Sequence, residues 1–544
     1  MTEVGSSVVN VDDERLTAGA LDPLPDPSAT TASHLGLRAY LESSPATMVA
    51  IASTIVAVFV PTFVVPYAFS DDYTLLWMAV SGEATAQFGE SIINVTALGG
   101  RPLMGLLDQL FFATAGNIEN LRFIRLTAVI GIVALALMLH WTLIRARIAS
   151  LPAALIAVLM CLVPALQIYG AWATLFSQPF AALSAGGGSL AAVAALDGPR
   201  SRRRGRLAGA IALLLAALFI YQPAAMFFWV FLAIGVLGAR AEPGRAIGLV
   251  RTHLGVAAAA FAAEYVFTKL VVHVVDNGSS AGERSTLTHD ISGKARWFVE
   301  EPLYRALNLF DVTPSRTQAI VVALVSAGGM LLWLGRHSAR PFLYGGIGVV
   351  LIPLTYLPNL VVTDMWPPFR TQIAISSLMT LYVCLGAIAL WTVSSDALRS
   401  RKARQYRDEA QIAALTLAVA FVGVAAFVAA KNVSSLIVEP QMTELRLLRR
   451  QVNEVPANTP RVAFVLTDWY GGMTERVLYD EFGLASSVRP WVPEPAVSLI
   501  LRETGRPSAL GLRPAIDVYS AATTTFPKGQ PVLNLHELRN LRGR

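Results

Sequence analysis

Apolar residues in this chain gather in long blocks, separated by short polar or basic loops. The blocks cover 47–67, 123–144, 151–169, 174–196, 207–221, 224–238, 254–272, 317–335, 341–361, 371–393 and 411–430. Most approach the roughly 20 residues that a helix needs to cross a bilayer. The pattern predicts an α-helical polytopic membrane protein with about eleven transmembrane helices. The blocks 207–221 and 224–238 are short for spans. Together 207–238 forms either two short spans or a re-entrant hairpin that turns at Tyr221-Gln222-Pro223. Residues 431–544 are more polar. There Val462–Leu466 and Val532–Leu535 read as short strands, and Glu494–Glu503 as a helix. Pro495 falls in the first turn of that helix, where its missing N–H does no harm. The chain thus divides into a disordered tail (1–46), a membrane domain (47–430) and a small α/β domain (431–544).

Composition and charge placement extend this reading. The chain is 54% hydrophobic and 15% charged, against about 25% charged in soluble domains. Its net charge of +6 resides in the interblock loops. Arg145 and Arg147, the run Arg200, Arg202, Arg203, Arg204 and Arg206, then Arg240 and Arg245, Arg336 and Arg340, and finally Arg399, Arg401, Lys402, Arg404 and Arg407 all fall on one side. Basic loops stay cytoplasmic. The N-terminus is then cytoplasmic, the C-terminus extracytoplasmic, and loops 68–122 and 273–316 face outward from the plasma membrane. This arrangement is topogenic and points to membrane lipid, not nucleic acid, as the partner of the basic residues. Cys161 and Cys384 both lie in apolar blocks and read as free thiols. The first block follows a polar, acidic leader and reads as a retained anchor.

The chemistry concentrates in loop 68–122. Asp71 and Asp72 form a carboxylate pair at a membrane edge, followed by Tyr73 and an amphipathic segment, Tyr73–Phe88. Such carboxylates suit general-base work toward a hydroxyl, a divalent cation or a plain helix cap. Arg101, in Gly99-Gly100-Arg101-Pro102-Leu103, opens an apolar helix, where its planar fork can grip a phosphate or snorkel to lipid. Arg122 and Arg125 open the next block from the outer side, against the positive-inside trend. Arg370 lies in Trp366-Pro367-Pro368-Phe369-Arg370, with Trp366 suited to an aromatic belt. Loop 273–316 carries Trp297, Glu300 and Glu301, which suit sugar contacts or an interfacial helix. Tyr221 and Gln222 offer a polar pair at a turn, and Asp468-Trp469-Tyr470 an aromatic turn. The histidines lack metal-ligand spacing.

The Asp71-Asp72 pair after a first span, with a long outer loop and the Gly100-Arg101-Pro102-Leu103 element, resembles the GT-C superfamily of membrane glycosyltransferases. It further resembles the bacterial Gtr-type membrane glucosyltransferases. It departs from the branch that carries Asp-Glu and a His-Pro-Pro-Leu-like element. The resemblance implies an inverting transfer of glucose or another hexose from a polyprenyl-phosphate donor to a cell-envelope glycan or lipid-linked acceptor. Asp71 and Asp72 would hold the catalytic base, with Asp71 favoured. Arg101, Arg370, Arg122 and Arg125 would hold the donor phosphate. Tyr73, Tyr221, Gln222, Trp297, Glu300, Glu301 and Trp366 would contact sugar or acceptor. The resemblance assigns no cofactor with certainty and leaves a divalent metal open. The competing class is a transporter or lipid-carrier flippase for glycan precursors, which would place ionisable residues at mid-membrane. Here blocks 151–169 and 411–430 carry none.

Overall fold

The computed structural model describes residues 44–85, 89, 91–239, 242–275, 286–313, 315–337, 340–397, 404–456, 459–467, 481–505, 515–523 and 525–538. The tail expected at 1–46 lies outside these residues up to position 43, and a helix begins at Ser44.

The structure is mostly helical. Six helices are long and apolar enough to cross a membrane: Pro45–Val64, Leu121–Arg145, Ala173–Asp197, Pro243–Val274, Ile373–Ser395 and Glu409–Glu454. About eleven spans were expected; among the described residues six helices meet this length and apolarity, or seven if a bent pair counts as one span, with three shorter apolar helices besides. The reasons lie in proline and arginine placement. The 151–169 block breaks before Pro164, which drives Val163 to extended backbone (φ −61°, ψ 150°), and the halves meet at 66°. The 341–361 block ends its helix at Leu354, just after Pro353, and restarts only as Leu357–Val361. The helix Arg200–Ile220 is 21 residues long, but its first two turns carry five arginines. At Tyr221 the backbone turns extended, and two short helices follow, Gln222–Ala225 and Phe227–Gly238.

Small residues let these helices approach closely. A Cβ on Gly329 would lie 2.0 Å from the Gly386 Cα, so the helices Arg316–His337 and Ile373–Ala397 meet backbone to backbone. Gly188 plays the same part against the Ala210 carbonyl, at 3.0 Å. The Gly186-Gly187-Gly188 run therefore serves packing.

The C-terminal region holds a small parallel sheet of β1 (Arg461–Val465), β2 (Ala515–Tyr519) and β3 (Val532–Asn534), in the order β2-β1-β3. Val462 pairs with Ile516 and Phe464 with Leu533. The helix Pro493–Glu503 lies between β1 and β2 in sequence, as a parallel connection requires. β2 was not expected, because Asp517 interrupts its apolar pattern. A turn of 3-10 helix follows at 535–538, and 539–544 lie outside the described residues.

One feature of packing positions the site. Leu75, Leu76 and Trp77 of the helix Asp71–Ser81 share a buried cluster with Leu448, Phe464, Ile500 and Leu533 of the C-terminal region. The segment Tyr73–Phe88, expected as one amphipathic element, is helical only to Ser81. Gly82 stops it with φ 71°, and 86–88 lie outside the described residues.

Candidate functional site

The two aspartates have different surroundings. Asp72 is fully buried. Its Oδ1 accepts from the Thr174 backbone N–H (2.8 Å) and hydroxyl (2.7 Å), and its Oδ2 accepts from the Phe69 N–H (3.0 Å). Burial pushes its carboxyl up to about 6, against the pull of Arg125 and of these hydrogen bonds. Asp71 is only partly buried. Its Oδ1 accepts from the Trp491 indole N–H (3.2 Å) and from the Ser70 hydroxyl (3.2 Å). Ser70 itself takes φ 48°, a left-handed conformation that costs a serine about 1–3 kcal/mol. Its N–H donates to the Ser486 hydroxyl at 2.7 Å, and Ser486 donates onward to Gln441 (2.6 Å). The C-terminal region therefore holds the strained turn that presents Asp71.

Arg101 and Arg370 enter the neighbourhood from other elements. Arg101 precedes the helix Pro102–Ala115, after Gly100 at φ 74°. Its Nε donates to Gln222 Oε1 (2.9 Å), and its guanidinium lies 4.8 Å from the Tyr221 ring centroid. Gln222 Nε2 donates in turn to Glu264 (3.3 Å). Arg370 lies 4.6 Å from the Trp366 ring and 5.7 Å from the Trp172 ring, and pairs with the buried Glu481 at 2.6 Å. Contacts run continuously between these groups. Phe69, two residues before Asp71, packs on Trp172 at 4.7 Å. Tyr169 donates to the Arg370 carbonyl (2.5 Å) and meets Tyr221 edge-on at 6.3 Å.

The other expected site residues lie elsewhere or are occupied. Arg125 is fully buried and donates to the Thr62, Val65 and Tyr67 carbonyls, closing the end of the first helix. Arg122 lies over the Phe123 ring at 4.9 Å. Tyr73 is 1% exposed and turns into the cluster shared with the C-terminal region. Trp297 packs near Tyr356 and under the Lys294 ammonium (4.2 Å). Glu300 pairs with Arg296, and Glu301 with Arg305, whose other arm reaches the Pro367 carbonyl. Loop 286–313 is thereby laid against 355–371, with Thr288 and Thr363 completing backbone bonds across them. The turn Asp468-Trp469-Tyr470 lies outside the described residues.

Sequence reasoning missed Thr174, Trp172, Glu264, Glu481 and Trp491. Glu264 had a signal, being a lone carboxylate in an apolar block. The others look ordinary in sequence and gain meaning only from long-range contact. Among the described residues, no group of three or more His, Cys, Asp or Glu is placed to hold a metal ion.

No family model matches the chain. No curated protein matches it either. Among solved structures it is similar to the Archaeoglobus fulgidus oligosaccharyltransferase tethered by a disulfide to an acceptor peptide containing the NVT sequon, at 11% identity and a TM-score of 0.41. The match covers 79% of this chain and 62% of that one, so the chain spans less than two thirds of that protein's length.

Proposed function

We propose that this chain is a GT-C-type membrane glycosyltransferase that moves a hexose from a polyprenyl-phosphate donor to an envelope glycan or lipid-linked acceptor. The observation that carries the reading is the grouping of one accessible carboxylate, Asp71, with two guanidinium groups, Arg101 and Arg370, around a shared set of aromatic rings. In this reading the N-terminus is cytoplasmic, and the site and the C-terminal α/β domain face outward.

The roles follow from the surroundings. Asp72 spends its oxygens on Thr174 and Phe69, so it orders the turn. Asp71 then takes the proton of the acceptor hydroxyl. The hydroxyl oxygen bonds to the anomeric carbon from the side opposite the phosphate, and configuration inverts. The bond from that carbon to the phosphate oxygen breaks, and its electron pair leaves with polyprenyl phosphate. Preorganised cations stabilise such developing charge, and Arg101 and Arg370 are the cations at hand. Gln222 and Tyr221 hold Arg101 in place, and Trp366 and Trp172 flank Arg370. Arg125 is assigned to structure, because its donors are committed to backbone carbonyls.

The test is sugar transfer in isolated membranes, with polyprenyl-phosphate glucose as the probe donor. Wild type should transfer glucose. Transfer only from another polyprenyl-phosphate hexose would change the sugar and keep the class. Folded protein that transfers from none of these donors would overturn the proposal, and translocation of the lipid-linked sugar without transfer would establish the flippase reading.

A further inference from the structure

Arg101 is held on one side by an amide, and a carboxyl stands one side chain behind that amide. The Arg101 Nε donates to Gln222 Oε1 at 2.9 Å. The Gln222 Nε2 donates to Glu264 Oε1 at 3.3 Å, and reaches the Gly100 carbonyl (3.3 Å) and the Gly99 carbonyl (3.4 Å). These partners fix which way the amide points. A guanidinium only donates, so the Gln222 oxygen faces Arg101. Backbone carbonyls only accept, so its nitrogen faces the glycines and Glu264. The three side chains come from separate elements. Arg101 precedes the helix Pro102–Ala115, Gln222 opens the short helix Gln222–Ala225, and Glu264 lies in the helix Pro243–Val275.

A carboxyl in a helix of membrane length is costly, and a cation is its usual partner. Here Gln222 stands between the carboxyl and the guanidinium. The difference matters for a phosphate site. A carboxylate in the place of Gln222 Oε1 would bind Arg101 roughly twice as strongly as an amide does. It would also cancel much of the field that draws an anion to the guanidinium. The amide fixes the same geometry without that cancellation. Tyr221, the preceding residue, adds a second uncharged contact with its ring, 4.8 Å from the guanidinium.

We infer that Gln222 is a positioning residue of the donor site: a neutral spacer that passes the anchorage of Glu264 to Arg101 without placing a carboxylate on its Nε, so that the guanidinium charge acts on the donor phosphate. The role of the phosphate rests on the transferase reading.

The test exchanges the two side chains. Gln222→Glu combined with Glu264→Gln keeps one carboxyl and one amide in the cluster and moves the carboxyl onto Arg101. Binding to the full-length protein in phosphatidylcholine nanodiscs is measured with two probes, polyprenyl phosphate and the uncharged polyprenol of the same chain length. In the exchanged variant the Kd for polyprenyl phosphate should rise by at least about tenfold, and the Kd for polyprenol should stay as in wild type. Equal weakening of both lipids would assign Gln222 to packing alone, and an unaltered Kd for polyprenyl phosphate would make the position of the carboxyl immaterial. Either result overturns the inference, as does a wild type without affinity for polyprenyl phosphate. If the exchanged variant does not fold, Gln222→Glu alone puts a carboxyl at the same place and decides the same comparison. In an Arg101→Gln background the effect of the exchange should vanish, because the two sites act through one contact; an effect that persists there overturns the inference. The two readings fail separately. Wild type that binds polyprenyl phosphate, loses affinity on exchange and transfers no sugar defeats the transferase reading alone. Transfer by wild type with an unaltered Kd in the exchanged variant defeats this inference alone.

Discussion

At the scale of single residues, the adjacent aspartates predict opposite mutant behaviour. Asp71→Asn removes the proposed base and leaves the three bonds around Asp72 in place. Transfer should fall by about 10²–10⁴-fold, with an unchanged melting temperature. Asp72→Ala strands the Thr174 N–H, the Thr174 hydroxyl and the Phe69 N–H inside the protein. Each stranded donor costs about 1–3 kcal/mol, so this variant should melt earlier. Asp72 also sets a pH dependence. It titrates near 6 in the folded protein, against its usual 3.8. Between those values the folded state holds a proton that the unfolded chain has released. Stability from this group is therefore greatest at the acid end and declines as pH rises toward 6, by up to about 3 kcal/mol. Melting curves across that window should show the decline in wild type and a shallower one in Asp72→Ala, since the buried Glu444, whose carboxyl is also pushed up by burial, contributes in the same direction. The pair itself was legible in the sequence, because two carboxylates beside an apolar block are costly. Its division of labour was not, because Thr174 lies 102 residues away and Trp491 lies 420 away.

At the scale of elements, apolar length was legible and interruptions were less so. Block length located the long helices, since hydrophobic span is a property of a continuous stretch. Pro164 and Pro353 shorten their helices, and each acts locally through the backbone. The expected turn at Tyr221-Gln222-Pro223 does separate two helices, and it carries a function that periodicity does not encode. Gln222 joins Arg101 to Glu264 of a third helix. Gly100 makes this junction possible. It takes φ 74°, and a Cβ there would meet Glu264 Oε1 at 2.7 Å and Gln222 Nε2 at 2.9 Å. Gly100→Ala should therefore push Gln222 and Glu264 apart and release Arg101. The left-handed backbone alone costs about 1 kcal/mol or more for alanine. The expected outcome is a raised KM for the lipid donor, with a smaller change in melting temperature. Titration of transfer rate against donor concentration checks it. An unaltered KM would separate Arg101 from donor binding.

At the scale of the whole molecule, the C-terminal region completes the centre in the membrane domain. Ser486 holds the Ser70 turn, Trp491 bonds Asp71, Arg502 donates to the Val80 carbonyl (2.9 Å), and Glu503 accepts from the Ile118 N–H (2.7 Å). Glu481 pairs with Arg370. Two tests distinguish docking from direct support of the site. Trp491→Phe keeps a large ring and loses one hydrogen bond, worth about 0.5–1.5 kcal/mol. If that bond orients Asp71, transfer should fall about tenfold, the rate equivalent of 1.4 kcal/mol, while the fold persists. For the Arg370–Glu481 pair, Glu481 is fully buried and Arg370 nearly so, with side-chain exposures of 0% and 14%. Removing one partner strands the other charge, at about 3–5 kcal/mol for a buried pair. Arg370→Gln and Glu481→Gln should each melt well below wild type, and the double variant should recover part of the loss because no lone ion remains. The two functions then part company in the double variant. Its stability rises, yet transfer stays low, because the second cation proposed to face the donor phosphate is gone. A double variant that regains transfer along with stability would assign Arg370 to docking alone and leave Arg101 as the sole phosphate grip.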